Sequence, residues 1–333
     1  MTRAPIRCTV LAMICAACVP AQPQLDLLNH NRPLPDAHNC YPEDGRWADR
    51  IERALGAGFP IGIEQDLAWY VDPANGKGRV VVSHSEKARG DEPTLRDHFF
   101  ERVRPIVESA LAANYRARWP LIVLHFDFKD NRPEILHAVW DLLGEYQGWI
   151  TTAVKTADPA RLMPFAPAPL LVLTEDPDAQ EEVFFRQVPV GGKLRLFGSA
   201  HTRPIPEKPK REHDRLLATL PPEKLVPDPP TNYRRWWNLS WYAVEEGGQH
   251  EAGDWTASDD RRLRALVDHA HRLGYWIRYY TLDGFTRAEN RGWEESYNFG
   301  SRAAVLPRWK AAKAAGVNLV ASDQYEDMAA VIR

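Results

Sequence analysis

Within the stretch IEQD, Glu64 and Asp66 stand two residues apart. On a strand, that spacing projects both carboxylates from one face. If the face is a packed interior, the two charges repel unless a cation sits between them, and oxygen donors of this kind suit Mg²⁺ or Ca²⁺. HFDFK repeats the pattern with His125, Asp127 and Lys129. Asp127 would complete the carboxylate set and Lys129 would meet a phosphate oxygen, while His125, deeper along the strand, reads as a packed or hydrogen-bonded core histidine. VVVSHSE delivers His84 at a strand end, and DAHNCYPE sets His38 beside Asn39. Two imidazoles, three acids and a lysine are the inventory for cleaving a phosphodiester. One imidazole removes a proton from the attacking oxygen, the other protonates the leaving oxygen, and a cation with Lys129 stabilises the charge that builds between them. Taken singly, each element is better explained by a surface or core histidine or a solvated acidic pair; the ordered combination is far more specific.

These residues need strands to aim them. Eight candidates run through the chain: 34–39, 60–67, 120–128, 169–175, 193–199, 234–242, 275–282 and 317–323. Helix-period segments lie between them, at 132–146 and at 259–273 behind the capping candidates Thr256 and Ser258. Such alternation predicts an α/β fold, a (β/α)8 TIM barrel formed as a single domain over 33–333. WITTAVK at 149–155 is a rival strand. RVVVSHS at 79–85, after the Asn75-Gly76 turn, is expected to pair as a hairpin beside the second strand. Residues 201–231, rich in Pro and charge, read as a long surface excursion, either a solvated connection or a lid.

Composition bounds the partners. The 333 residues carry 42 basic and 45 acidic side chains, a net charge of −3. No basic block is present, so nucleic acid is not an expected partner. Residues 1–21 read as a secretory signal peptide: Arg3 and Arg7, a short apolar run, and a small-residue site after Ala21. Residues 22–32 would be a linker, and the product would be secreted or periplasmic. Cys15-Ala16-Ala17-Cys18 makes a poor lipobox, so a lipoprotein is the lesser expectation. The apolar run is too short to span a bilayer, which leaves transient contact with a membrane surface. Cys40 would stand alone after cleavage, with no intramolecular disulfide to make. The oligomeric state is left open.

In this order the motifs resemble the barrel-type phosphodiesterase superfamily of glycerophosphodiester phosphodiesterases and phosphatidylinositol-specific phospholipases C. The run is His38, then Glu64-x-Asp66, His84 after a Val-rich strand, and Asp127-x-Lys129. AHNCY is similar to the His-Asn-x-Tyr start of the phospholipase C domain, and more closely to the altered-inheritance-of-mitochondria branch, which usually has Asp where Cys40 stands. The resemblance implies metal-dependent hydrolysis of a glycerophosphodiester or phospholipid, with His38 and His84 as acid and base. It also implies one divalent ion, Mg²⁺ or Ca²⁺, held by Asn39, Glu64, Asp66 and Asp127. Lys129 fits the glycerophosphodiesterase and sphingomyelinase D type. For the substrate wall, the expected residues are Glu175, Arg235, Trp237, Asn238 and Tyr280, with Trp241, Arg278 and Asp283 as further candidates, although alternation lets only part of each strand face inward. Two other readings compete: a barrel that binds a phosphorylated lipid or sugar without cleaving it, and Cys40 as a thiol nucleophile.

Overall fold

The computed structural model describes residues 33–43, 45–203, 205, 209–245, 253–289 and 298–333. The signal peptide and linker expected at 1–32 lie outside them. Eleven strands are present among the described residues: β1 Leu34–Ala37, β2 Ile61–Val71, β3 Gly78–Val82, β4 Ile122–Phe128, β5 Ala153–Val154, β6 Leu170–Thr174, β7 Lys193–Leu194, β8 Phe197–Ser199, β9 Arg234–Ser240, β10 Trp276–Tyr280 and β11 Leu319–Ser322. Eight of them pair in parallel in the cyclic order β1-β2-β4-β6-β8-β9-β10-β11, and β1 closes the ring by bonding to both β2 and β11. The expected barrel is therefore the observed fold. Closure leaves these strands without a free edge, and a stave as short as the three residues of β8 takes its place in the ring.

β2 is longer than its neighbours, and its second half, Leu67–Val71, pairs antiparallel with β3 across the Asn75-Gly76 turn. Gly76 takes a φ of 69°, the left-handed backbone this turn requires. The hairpin carries the chain back so that Ser83 N bonds to Asp66 O, setting His84 beside the carboxylates of β2.

Two strand expectations are corrected. The stretch 193–199 is not one strand: β7 leaves the barrel to pair antiparallel with β5, and only β8 joins the ring. The rival 149–155 contributes β5 to that small outer ribbon rather than a barrel stave. Nor is 201–231 a structureless excursion. It contains helices Lys210–Thr219 and Pro222–Leu225, the carbonyls of Leu217 and Leu220 accept from Arg262, and Leu225 and Val226 are buried. It is fastened to helix Ala257–Leu273, and no described residue in it lines the cavity at the strand ends. That helix starts at Thr256, whose side chain and that of Asp259 cap each other's backbone amides. No helix among the described residues is long and apolar enough to cross a membrane.

Candidate active site

At the C-terminal ends of the strands, His38, Asn39, Glu64, His84, Asp127, Lys129, Glu175, Asn238, Arg278 and Tyr280 line a cavity of about 240 Å³. This is the end at which barrels of this kind carry their chemistry. In the β2–β4 register Glu64 stands beside His125 and Asp66 beside Asp127, so the two-residue alternation becomes a cluster across adjacent strands. One oxygen from each of Glu64, Asp66 and Asp127 lies within 4.8 Å of the others.

That cluster is electrostatically incomplete. Lys129 Nζ donates to Asp127 Oδ2 at 2.6 Å and stands 3.2 Å from Asp66 Oδ2. The second contact lacks hydrogen-bond alignment, so both buried Asp66 oxygens are without a hydrogen-bond partner. Burial, opposed by Lys129 and reinforced by Asp127 and Glu64, pushes the Asp66 carboxyl up to about 7. Glu64 moves the other way: burial would raise it, but Arg278, His38 and His125 hold it well below the usual carboxylate range. The protein alone thus tolerates one of these acids ionised more readily than both. A hard divalent cation fits three convergent carboxylates of which one, Asp66, has both oxygens without a hydrogen-bond partner, and neutral nitrogen or sulfur donors are absent from this trio.

The two expected imidazoles differ in setting. His38 is buried, with Nδ1 2.9 Å from Asp323 Oδ1 and Nε2 3.7 Å from Glu64 Oε2. Burial opposes its charge, but Glu64 and Asp323 outweigh it and raise its pKa to about 9. Tyr280 stacks on the ring at 5.9 Å between centroids. Asp323 also pairs with Arg50, at 3.2 Å. His84 has a side chain 57% exposed, lies 4.0 Å from Asp66 Oδ2, and is flanked by Tyr41. Partial burial, then Lys129, lowers its pKa. Without a metal, one ring is charged and the other neutral near pH 7.

Asn39 has a φ of 52°, a backbone that Asn accepts more readily than most residues. Its amide nitrogen lies 3.1 Å from Asp323 Oδ1 and 2.8 Å from His38 Nδ1, and its backbone N–H points at Glu64. The opposite wall is a polar chain. Glu175 Oε1 meets His125 Nε2 at 2.6 Å and accepts from Asn238 Nδ2 at 2.8 Å. Arg278 donates to Asn238 Oδ1 and Glu64 Oε2, both at 3.0 Å, and to Asp36. His125 is the buried, bonded core histidine expected: burial and Arg278 oppose its charge, and Glu175 and Glu64 prevail to raise its pKa.

Arg235 and Trp237 are not at the cavity. Along β9, Trp236 and Asn238 face inward, so their neighbours face out. Arg235 is buried against the Met163 carbonyl and Asn232, and Trp237 meets His269 of helix Ala257–Leu273 edge-on. Their placement as substrate residues is corrected by the alternation itself. Trp241, beyond the end of β9, bonds Glu245 through its indole and belongs to the same outer core. Cys40 is fully buried, and burial pushes its thiol up, which removes it as a nucleophile.

Three contributors were absent from the expected site. Asp36, two residues before His38, buttresses Arg278 and lies so close over Gly62 that any Cβ there would collide with its carboxylate. Its spacing from His38 was the available signal. Asp323 follows the last strand, next to the first across the closure, and was readable only once that closure was assumed. Arg50 carried no motif at all.

No family model and no curated protein matches the sequence. Among solved structures, the chain is similar to a calcium-dependent phosphoinositol-specific phospholipase C from a Gram-negative bacterium, Pseudomonas sp., at 10% identity and a TM-score of 0.46, covering 91% of this chain and 92% of that one. It is also similar to HPPK-DHPS of Plasmodium falciparum at 11% identity and a TM-score of 0.43, covering 90% of this chain and 47% of that one, so that it spans about half the length of that protein. A dihydropteroate synthetase matches at 12% identity and a TM-score of 0.35, covering 90% and 92%. At such values no activity passes from them to this chain.

Proposed function

We propose that the chain is a metal-dependent phosphoric diester hydrolase acting on a glycerophosphodiester or phospholipid-type substrate, an exported protein of the phospholipase-C-like kind and, on His38-Asn39, nearest its altered-inheritance-of-mitochondria branch. The observation that carries the reading is the convergence of Glu64, Asp66 and Asp127 at the wall of a cavity lined also by two imidazoles and a lysine. Mg²⁺ or Ca²⁺ would be held by these carboxylates with Asn39, and when bound it supplies positive charge against the phosphate. Lys129 and Arg278 add fixed cations on two sides of the cavity, where they orient the diester and stabilise charge on its oxygens. One of His38 and His84 takes the proton of the attacking hydroxyl or water as the new P–O bond forms. The other gives a proton to the oxygen that leaves as the old bond breaks. Asp323 holds His38 in orientation through Nδ1, leaving Nε2 for the transfer.

Hydrolysis of bis(p-nitrophenyl) phosphate, glycerophosphocholine and phosphatidylinositol, with chelator and with Ca²⁺ or Mg²⁺ restored, tests this. At least one should be cleaved, chelation should abolish the cleavage, and His38→Ala should lower kcat by about 10²-fold or more. No metal-dependent turnover on any of them, or full activity in His38→Ala, sinks the proposal.

A further inference from the structure

A separate cavity, of about 330 Å³, lies between helix Pro133–Glu145, the π-helical turn Glu182–Arg186 and the segment that runs through β7. It shares no lining residue with the cavity at the strand ends. Its size falls at the lower end of the range for small-molecule sites, about 300–1,000 Å³.

Its charge is one-sided: Lys193, Arg195 and His137 line it, and no acidic side chain does. Lys193 and Arg195 stand two residues apart, and Leu194 and Leu196, which alternate with them, are fully buried. Extended backbone therefore turns the two cations to the same side. Arg195 is also fixed in place. Its guanidinium lies 4.3 Å from the centroid of the Trp140 ring, Nε donates to Gln147 Oε1 at 3.0 Å, and Nη1 donates to the Trp140 carbonyl at 3.4 Å.

What these cations lack is a counter-charge. On the neighbouring surface Arg96, Arg102 and Arg104 each pair with a glutamate. Neither Arg195 nor Lys193 forms an ion pair among the described residues. Burial lowers the Arg195 pKa, and Asp141, outside the lining, opposes that only in part. A partly desolvated guanidinium held in one orientation with no carboxylate on it is a fork that an anion completes. The rest of the wall is mostly apolar, from the Trp140 ring, Val183, Val188 and Pro189. Two fixed charges suit a dianion better than a carboxylate, and the apolar wall asks for a body attached to it.

We propose that this cavity binds a soluble phosphate monoester with a compact apolar body, its phosphate held by Arg195 and Lys193 and its body set against Trp140, Val183 and Val188. The site is independent of the hydrolase reading, since none of its residues takes part in that chemistry.

Phenyl phosphate is the probe, in ¹⁵N-tryptophan-labelled protein kept in chelator. The Trp140 indole resonance, assigned by its loss in Trp140→Phe, should shift and saturate. Benzoate has a single charge and inorganic phosphate has no ring, so each should bind about tenfold or more weakly. Arg195→Gln and Lys193→Gln should each raise the Kd for phenyl phosphate by about tenfold. Lys129→Ala should leave the Trp140 titration unchanged, which separates this site from any ester bound at the strand ends. No shift at Trp140, equal affinity for benzoate or inorganic phosphate, or a titration that survives both substitutions overturns the site; the comparison of the three probes needs only the wild-type chain. Vesicles of phosphatidylcholine and phosphatidic acid carry the same group on a bilayer, and a Trp140 resonance that answers them but not phenyl phosphate overturns the soluble ligand. If phenyl phosphate moves Trp140 while no diester is hydrolysed, the hydrolase reading fails and this site stands.

Discussion

Asp323 shows how a single side chain can set the chemistry of another far away in sequence. It meets His38 at Nδ1 and Arg50 at 3.2 Å, so it fixes the ring's orientation while its own charge is balanced. Of the influences on His38, burial pulls the pKa down, and Glu64 and then Asp323 push it up. Replacing Asp323 with Asn removes one of the two upward influences, so the His38 pKa in the metal-free protein should fall by about one unit or more, readable in a ¹³C-histidine NMR titration. An unchanged titration would mean that Glu64 alone sets it. Partners of this sort resist sequence reading. Glu64, Asp66 and Asp127 were legible because alternation is a local rule that puts them on one face, and Asp36 obeyed the same rule two residues from His38. Asp323 reaches the ring through closure of the barrel and Arg50 reaches Asp323 through packing of the first helix, neither of which leaves a local trace.

At the scale of elements, legibility follows whether a strand's partner is near in sequence or far. The β2–β3 hairpin and the helices at Pro133–Glu145 and Ala257–Leu273 were readable from the Asn-Gly turn, the 3.6-residue period and a capping threonine. The break between β7 and β8 was not, because Lys193–Leu194 is taken from the barrel by β5, two residues of the stretch 149–155 whose strand pattern does not say which partner it pairs with. Alternation along β9 was visible, but its phase was not: Asn238 faces the cavity and Arg235 and Trp237 face away. The cap can be tested apart from the site. Thr256 accepts from the amides of Ser258 and Asp259 on the outer wall, so Thr256→Ala should lower unfolding free energy by about 1 kcal/mol in urea titration. Ca²⁺ affinity should be unchanged; a loss of affinity would show that this helix is coupled to the strand ends, contrary to its place in the fold.

The whole barrel carries the electrostatic load of its own site, and pH should reveal it. Asp66 has an ordinary carboxyl value of 3.8 when exposed and about 7 in the metal-free fold, so between those values the native state holds more protons than the unfolded chain. Its contribution to stability is therefore present below the lower value and lost as pH rises through about 7. His38 acts in the same direction, since its value goes from 6.5 to about 9: the stability it adds is complete below 6.5 and is lost as pH rises through about 9. Glu64, whose value falls, changes stability only below its ordinary 4.5. From mildly acid to mildly alkaline conditions the metal-free barrel should weaken, and a cation among Glu64, Asp66 and Asp127 should reverse that loss by taking the place of the proton. Ca²⁺ at about one hundred times its Kd would stabilise the fold by about 2.7 kcal/mol, a rise of a few degrees in Tm, and the rise should be larger near pH 8 than near pH 5 because protons compete at Asp66. In Asp66→Asn the charge crowding is gone, so the metal-free variant should melt above the metal-free wild type at pH 8 and gain little from Ca²⁺. A Ca²⁺-induced rise that is equal at both pH values, or undiminished in Asp66→Asn, would place the cation elsewhere and with it the centre of the proposed chemistry.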